Sequence, residues 1–385
     1  MRPRVIKQFT VRADVLSNAF DLVAQPRQAY VRLDLEGSVL TAHTRSDDVV
    51  VAVDVEAIGT PGAVVLPLAS MKSVLKGLDT QPVQFNQTRD MVQWQAGGQK
   101  GMVIAVPKET MPKSDISFSH PNMMVGADVL KKALTRLLKI SKGGSVGPMG
   151  PHNQLLKYPV LESVYIDATG PTLVACDPTR LAYWELGLDA QFTGESVVAT
   201  EPLMRVLLSR LRSGGDVQLA WHEEKFAALC DGVRIAGRSL PWPYPIWRNF
   251  CPTTFDNKFV FGSKVLVDAV KRLATTTDRE GRLYLKIASD FLRLGTHPDI
   301  AEDISCASRE GTYVGWGWFR LRKFLEGLQM LEGKKMILEF NTPSDVGINV
   351  PLHLSGEGRL HYYMMPLIPH LTVPSLDTPN QQGNL

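Results

Sequence analysis

Ala127-Asp128-Val129-Leu130 repeats Ala13-Asp14-Val15-Leu16 residue for residue, and Ser263-Lys264-Val265-Leu266 stands in the same setting farther along. An extended apolar segment precedes each one: Phe9-Thr10-Val11, Met123-Met124-Val125 and Phe259-Val260-Phe261. A helical pattern follows each, with apolar residues at three- and four-residue spacing. The spacings, 114 and 136 residues, exceed the period of any short-repeat solenoid, about 20–50 residues. The reading is therefore three whole domains.

Working outward, three more amphipathic segments occur at Leu68–Leu78, Pro202–Leu211 and Phe319–Leu331. Each leads into a similar strand start: Val83-Gln84-Phe85, Val217-Gln218-Leu219 and Met336-Ile337-Leu338. Between the helices the period switches to two. Tyr30–Leu35 turns at Glu36-Gly37; Val164-Tyr165-Ile166 turns at Thr169-Gly170-Pro171 and returns through Leu173-Val174-Ala175. Leu283–Ile287 turns near Ser289-Asp290 and returns through Leu292 and Leu294. Alternation around Gly, Asn or Asp turns signals hairpins. Each unit reads as strand, helix, hairpins, helix, hairpins, an α+β class. The Pro-rich stretches 112–121 and 241–257 mark the joins, giving domains at 1–120, 121–252 and 253–369. The polar, aperiodic 370–385 reads as a disordered tail.

Length and composition agree with several packed domains: 385 residues, 44% hydrophobic and 21% charged, too apolar for a disordered chain. No run of 18 apolar residues is present, which excludes a membrane-spanning helix. Met1-Arg2-Pro3-Arg4 lacks the apolar stretch of a signal peptide. Cys176, Cys230, Cys251 and Cys306 lie far apart, so they read as free thiols of a cytoplasmic protein.

The net charge of +3 is unevenly distributed. Segments 13–28, 68–79, 126–142, 201–212, 263–273 and 319–335, which hold the helices, carry +11 together, leaving −8 for the remainder. In 126–142, Leu130, Ala133, Leu134 and Leu137 make the apolar stripe, while Lys132, Arg136 and Lys139 share another face. Arg205 and Arg212, Lys264 and Lys271, and Arg320 and Lys323 repeat the theme. One basic helix face is ordinarily just a solvated surface. The same bias on four of six helices describes a surface built for phosphates.

Enzyme signals fail on context. Gly143-Gly144-Ser145-Val146-Gly147 has nucleophile-elbow spacing, but a basic helix precedes it where a strand is required. His222-Glu223-Glu224 lacks the second histidine of a zincin helix, and the eight histidines show no metal-ligand spacing. A serine hydrolase using Ser145 is kept only as a rival. No cofactor or metal is expected.

Three further motifs carry a family resemblance. Cys176-Asp177-Pro178-Thr179-Arg180-Leu181-Ala182 resembles the T-D-G-x-R-L-A signature of the bacterial sliding clamp, the beta subunit of DNA polymerase III. The segment from Gly237-Arg238-Ser239-Leu240-Pro241 to Pro252 resembles the stretch joining the clamp's second and third domains. Tyr363-Met364-Met365-Pro366-Leu367 resembles its C-terminal V-V-M-P-M. The three occur in family order, and the resemblance spans about residues 5–369.

The resemblance implies a DNA-clamp fold: three repeated domains, each with two helices packed on antiparallel sheets. It implies a head-to-tail homodimer ring with twelve helices around double-stranded DNA. Such a ring would tether the DNA polymerase III catalytic subunit and meet a clamp loader and other proteins bearing clamp-binding motifs. Candidate DNA contacts are Arg27, Lys72, Lys76, Lys132, Arg136, Lys139, Arg205, Arg212, Lys264, Lys271, Arg320 and Lys323. The family's partner-peptide cleft maps onto Leu161, Asp177, Pro178, Thr179, Arg180, Leu181, Pro243, Tyr363, Met364, Met365, Pro366 and Leu367. The dimer interface maps onto Met102, Val103 and Ile104 of one chain, with the strand 102–106 expected to pair with region 266–276, including Thr275 and Thr276, of the other.

Departures from the family pattern mark a divergent member. Cys176 replaces Thr, and Pro178 replaces Gly, removing a backbone donor. Trp242-Pro243-Tyr244-Pro245-Ile246-Trp247 is aromatic and expanded, and the chain continues sixteen residues past Pro369. The terminal Gln381-Gln382-Gly383-Asn384-Leu385 faintly resembles a clamp-binding Q-x-x-x-L peptide. A clamp-like partner scaffold that does not load onto DNA is the remaining alternative.

Overall fold

The computed structural model describes residues 8–46, 48–88, 90–114, 120–141, 159–276, 281–288, 291–297, 300–343 and 350–367. Ser145 and the 370–385 tail, with its Gln381–Leu385 peptide, lie outside the described residues.

One element order occurs three times. The first pass is β1 (Gln8–Arg12), α1 (Ala13–Val23), β2 (Tyr30–Glu36), β3 (Val39–Arg45), β4 (Val49–Glu56), β5 (Ile58–Gly59), β6 (Gly62–Pro67), α2 (Leu68–Leu75), β7 (Pro82–Thr88), β8 (Met91–Ala96) and β9 (Gln99–Ile104). The second is β10 (Met123–Gly126), α3 (Ala127–Ser141), β11 (Ser163–Asp167), β12 (Thr172–Asp177), β13 (Arg180–Glu185), β14 (Ala190–Phe192), β15 (Val197–Thr200), α4 (Glu201–Arg210), β16 (Asp216–His222), β17 (Lys225–Cys230) and β18 (Val233–Leu240). The third is β19 (Asn257–Gly262), α5 (Ser263–Leu273), β20 (Arg282–Ile287), β21 (Phe291–His297), β22 (Ile300–Ser305), β23 (Ser308–Glu310), β24 (Gly315–Arg320), α6 (Leu321–Met330), β25 (Lys335–Phe340), β26 (Leu352–Ser355) and β27 (Leu360–Met364). The motif at Ala13, Ala127 and Ser263 opens the first helix each time, as its sequence predicts.

Pairing repeats as well as order. A five-stranded antiparallel sheet runs β5-β1-β7-β8-β9 in the first pass. The same path recurs as β14-β10-β16-β17-β18 and as β23-β19-β25-β26-β27. The second sheet is β4-β3-β2-β6, then β13-β12-β11-β15, then β22-β21-β20-β24. A short bridge joins each five-stranded sheet to the strand before the second helix: Val65 with Val106, Val198 with Leu240 (and Ala199 with Ser239), and Trp318 with Leu367. These three bridges fix the correspondence between passes.

The strand-to-helix junctions have no connecting loop, and no N-cap side-chain bond is present at α1, α2, α4, α5 or α6. The first helical N–H, which has no partner inside its own helix, instead donates to a neighbouring strand's end. Ala13, Ala127 and Ser263 donate to the carbonyls of Gln81, Gly215 and Lys334, all at 2.8–2.9 Å. Each helix then turns one stripe inward. In α1 this is Leu16, Ala19, Phe20 and Val23; in α3 it is Leu130, Ala133, Leu134, Leu137 and Leu138. Burying a side chain of Leu or Phe size contributes about 1.5–3 kcal/mol, so one such stripe outweighs modest propensity losses. Gly327 in α6 is one such loss, and a Cβ there would stand 2.5 Å from the Tyr362 ring.

The chain divides into two compact units, Met1–Thr135 with Leu188–Trp242, and Arg136–Gly187 with Pro243–Leu385. In the first unit, β18 pairs antiparallel with β4, from Val233–Val53 to Gly237–Val49. In the second, β27 pairs in the same way with β13, from Arg180–Met364 to Trp184–Leu360. The last strand of one pass thus joins the fourth strand of the pass before it. By this rule β9 and β22 are left over, and each has one ladder neighbour among the described residues. Region 266–276 lies on α5, which runs to Leu273, and on the turn after it, so it offers a helix end rather than a ladder edge.

Candidate functional site

A cleft of about 280 Å³ opens beside the β13–β27 ladder of the second unit. Leu161, Asp177, Pro178, Arg180, Leu181, Tyr363 and Met365 line it, seven of the positions that the motifs point to. The ladder brings them together because Arg180 faces Met364 and Leu181 faces Tyr363 across it. Cys176, Pro245, Phe250 and Pro351 complete the lining. Beneath lies an apolar cluster of Val174, Cys176, Leu181, Trp247, Cys251 and Tyr363.

One carboxylate organises the polar edge. Asp177 is buried, and its Oδ1 accepts from Thr179 N–H at 2.8 Å, Thr179 Oγ1 at 3.0 Å and Arg180 N–H at 3.0 Å. Its Oδ2 accepts from Arg180 Nε and Lys323 Nζ, both at 2.8 Å. Burial pushes the Asp177 carboxyl up, but the Lys323 hydrogen bond and charge, with Arg180, outweigh it and hold the group below its ordinary range. Pro178 sits within this turn without cost, because the carboxylate draws on the N–H groups of 179 and 180, not 178. Met365 N–H donates to Thr179 O at 2.8 Å, tying the strand after β27 to the same turn.

Cys176 also has a defined partner: Tyr244 O–H lies 3.1 Å from its Sγ. Burial pushes the thiol up to about 11, so it stays protonated. The aromatic segment is anchored at Trp247, whose indole N–H donates to Asp167 Oδ2 at 2.8 Å. Arg248 stacks over the Trp247 ring and pairs with Asp167 as well. This anchoring leaves Ile246 and Phe250 exposed, Phe250 by 51% at the cleft.

The remaining expected cleft residues lie around the lining rather than in it. Thr179 accepts from Lys323 Nζ at 2.7 Å. Met364 is buried in the core, Leu367 bridges to Trp318, and Pro366 stands between them. Pro243 is exposed outside the lining, and Pro245, two residues on, takes the place expected of it. Phe250 and Pro351 were not legible from the motifs. An aromatic in the Pro-rich join is the only signal for Phe250, and Pro351 reaches the cleft through the β26–β27 ladder.

The twelve candidate phosphate contacts divide by environment. Arg27, Lys76, Lys132, Lys139, Arg212, Lys271 and Arg320 are exposed. Lys72, Arg205 and Lys264 pair with Asp21, Glu201 and Asp268 at the surface. Arg136 is half-buried: its Nε donates to Met330 O at 2.8 Å, it pairs with Glu332, and it lies 5.1 Å over the Trp184 ring. Lys323 is committed to Asp177 and Thr179. The expected interface residues fall on two edges. Met102 and Ile104 are 62% and 66% exposed on β9 with Val103 turned inward, while Thr275 and Thr276 bond back to Arg272 O and Leu273 O at the end of α5.

Among the described residues no cluster of His, Cys, Asp and Glu could hold a metal ion, and no helix is long and apolar enough to cross a membrane. No protein-family model matches the chain. Solved structures match along nearly its whole length. The DNA polymerase III subunit beta of Pseudomonas aeruginosa superposes with a TM-score of 0.77 at 16% identity, covering 94% of this chain and 99% of that one. The DNA polymerase sliding clamp of Bacillus subtilis gives 0.77 at 16%, covering 95% and 100%. The beta subunit from DNA polymerase of Streptococcus pyogenes gives 0.75 at 16%, covering 94% and 99%. With its threefold element order and pairing, the chain has the fold of the bacterial DNA polymerase III beta sliding clamp.

Proposed function

We propose that this protein is a processivity clamp: a head-to-tail ring of two chains that encircles duplex DNA and tethers a polymerase to it. The observation that carries the reading is the likeness to whole clamps, which spans 99–100% of their chains at a TM-score of 0.75–0.77. The charge distribution supports it, since the helix-bearing segments carry +11 against −8 elsewhere. Lysines and arginines facing phosphates bind without sequence preference and weaken with salt, which suits a ring that slides. The three repeats are assigned as domains at 1–120, 121–252 and 253–369.

Ring closure follows from the internal pairing rule. Two of three last-strand to fourth-strand seams are made within the chain, at β18–β4 and β27–β13. The third pairs β9 of one chain with β22 of a second, a heterologous contact that closes when applied twice. The second-unit cleft receives apolar linear motifs from the catalytic subunit of a DNA polymerase III, a clamp loader and other partners. A Met- and Leu-lined pocket adapts to several such peptides. The protein acts without catalysis of its own, in the cytoplasm on nucleoid DNA.

The test is retention. Loaded onto a nicked circle, the protein stays with the DNA through a sizing column and leaves when the circle is cut. Peptide binding with no topology-dependent retention would identify a partner scaffold instead.

A further inference from the structure

The threefold correspondence gives the second-unit cleft a counterpart in the first unit. A cleft of about 960 Å³ opens beside the β18–β4 ladder, as the apolar one opens beside β27–β13. Leu240 corresponds to Leu367 through their bridges to Val198 and Trp318, so Arg238 corresponds to Met365. Arg238 faces Lys225 across β17–β18. Continuing the β26–β27 register one step past Leu352–Met364 sets Pro351 opposite Met365. A Pro–Met pair at the apolar cleft is thus replaced by a Lys–Arg pair here.

Both cations are exposed, and both line the cleft with Arg45 and Lys113. Lys113 already pairs with Glu36 at 2.6 Å, and Asp48 is the one carboxylate in the lining. Like charges directly opposite each other destabilise a ladder, so Lys225 facing Arg238 is a local cost that an anionic ligand would remove. The lining also holds the apolar Val50, Ala220, Trp221, Phe226, Ala227 and Ala236. Phe226 is buried there, and Trp221 is held in place by Asn122 Oδ1, which accepts its backbone N–H at 2.7 Å, and by Glu195 O, which accepts its indole N–H at 2.9 Å. Exposed cations in one lining with the half-buried Trp221 match carboxylates flanking an apolar side chain. A run of phosphates would meet Asp48 and leave Trp221 unused.

We propose that the first-unit cleft is a second docking site, for an acidic peptide segment carrying an aromatic or aliphatic residue. The site is independent of ring formation and of the second-unit cleft.

The experiment selects a phage-displayed library of random twelve-residue peptides on the full chain, then counter-selects on the Lys225→Glu, Arg238→Glu double variant. Lys225→Gln with Arg238→Gln serves as a second pair if charge reversal unfolds the protein, as judged by circular dichroism. The site predicts counter-selected peptides rich in Asp and Glu around an apolar residue. Their binding, read by fluorescence anisotropy, should fall about 10-fold or more on the double variant, equivalent to about 1.4 kcal/mol. No acidic enrichment among them, or equal binding to both proteins, overturns the proposal. Labelled twelve-residue oligothymidylate that displaces the peptides and loses affinity on the same variant would assign the cleft to nucleic acid, which also overturns it.

Discussion

Asp177 shows at the scale of one residue how the candidate site is held. Its carboxylate, enclosed among the donors of Thr179, Arg180 and Lys323, has each oxygen satisfied. Truncating it would remove the carboxylate of Lys323 and leave the buried Arg180 with Glu326 as its remaining acidic partner. Leaving a buried charge uncompensated costs about 3–5 kcal/mol; with Glu326 still on Arg180, Asp177→Ala should lose stability toward the low end of that range in urea unfolding, with Asp177→Asn losing less. The pH dependence has a definite sign. Because the folded carboxyl is held below its ordinary range, its stabilisation is present at neutral pH and is lost as pH falls through that lowered value. Wild type should therefore weaken in acid more steeply than Asp177→Ala, and parallel acid limbs would remove Asp177 from this role. The motif made Asp177 legible in the sequence; its partner Lys323 was read as a phosphate contact, because a cation on a helix does not reveal a carboxylate 146 residues away.

At the scale of elements, the junction motif was legible because strand and helix meet there with no loop between them. The apolar triplet and the helical stripe are read in direct succession at Ala13, Ala127 and Ser263. The edge strand β22 was not legible. Ile300-Ala301-Glu302-Asp303-Ile304-Ser305 carries two acids and little alternation, so it reads as a polar turn. The basic face of α3 was legible only in part. Lys132 and Lys139 are exposed, while Arg136 is spent on Met330 and Trp184, so its reversal would damage packing as well as charge. Lys132→Glu with Lys139→Glu should weaken retention on DNA and reduce the slope of log affinity against log salt by about 2. Binding of peptides to the second-unit cleft should be unchanged, and equal loss of both would indicate misfolding. On β9, Met102→Asp with Ile104→Asp places charge on the exposed ladder edge. Sedimentation at micromolar concentration should then show dimer for the wild type and monomer for this variant; an unchanged dimer would move the interface elsewhere.

For the whole molecule, the net charge of +3 is the small remainder of a basic set of helices and an acidic remainder. That distribution is what a ring facing DNA only on its inside requires, and it was readable from sequence once the helices were placed. The residues lining the two clefts were less so, because each cleft gathers positions from a ladder between two repeats and from the Pro-rich join beside it. Phe250 and Pro351 meet in one, and Lys113 and Lys225 in the other. The repeat explains why one chain carries both clefts, and substitution at corresponding positions makes one apolar and the other cationic. Topological retention tests the central claim most directly. The protein is incubated with nicked circular DNA, ATP and a clamp-loader complex, passed through a sizing column in moderate salt, and passed again after the circle is linearised. Co-elution with the circle and loss from the linear form is the expected result; equal retention on both, or on neither, would contradict encirclement.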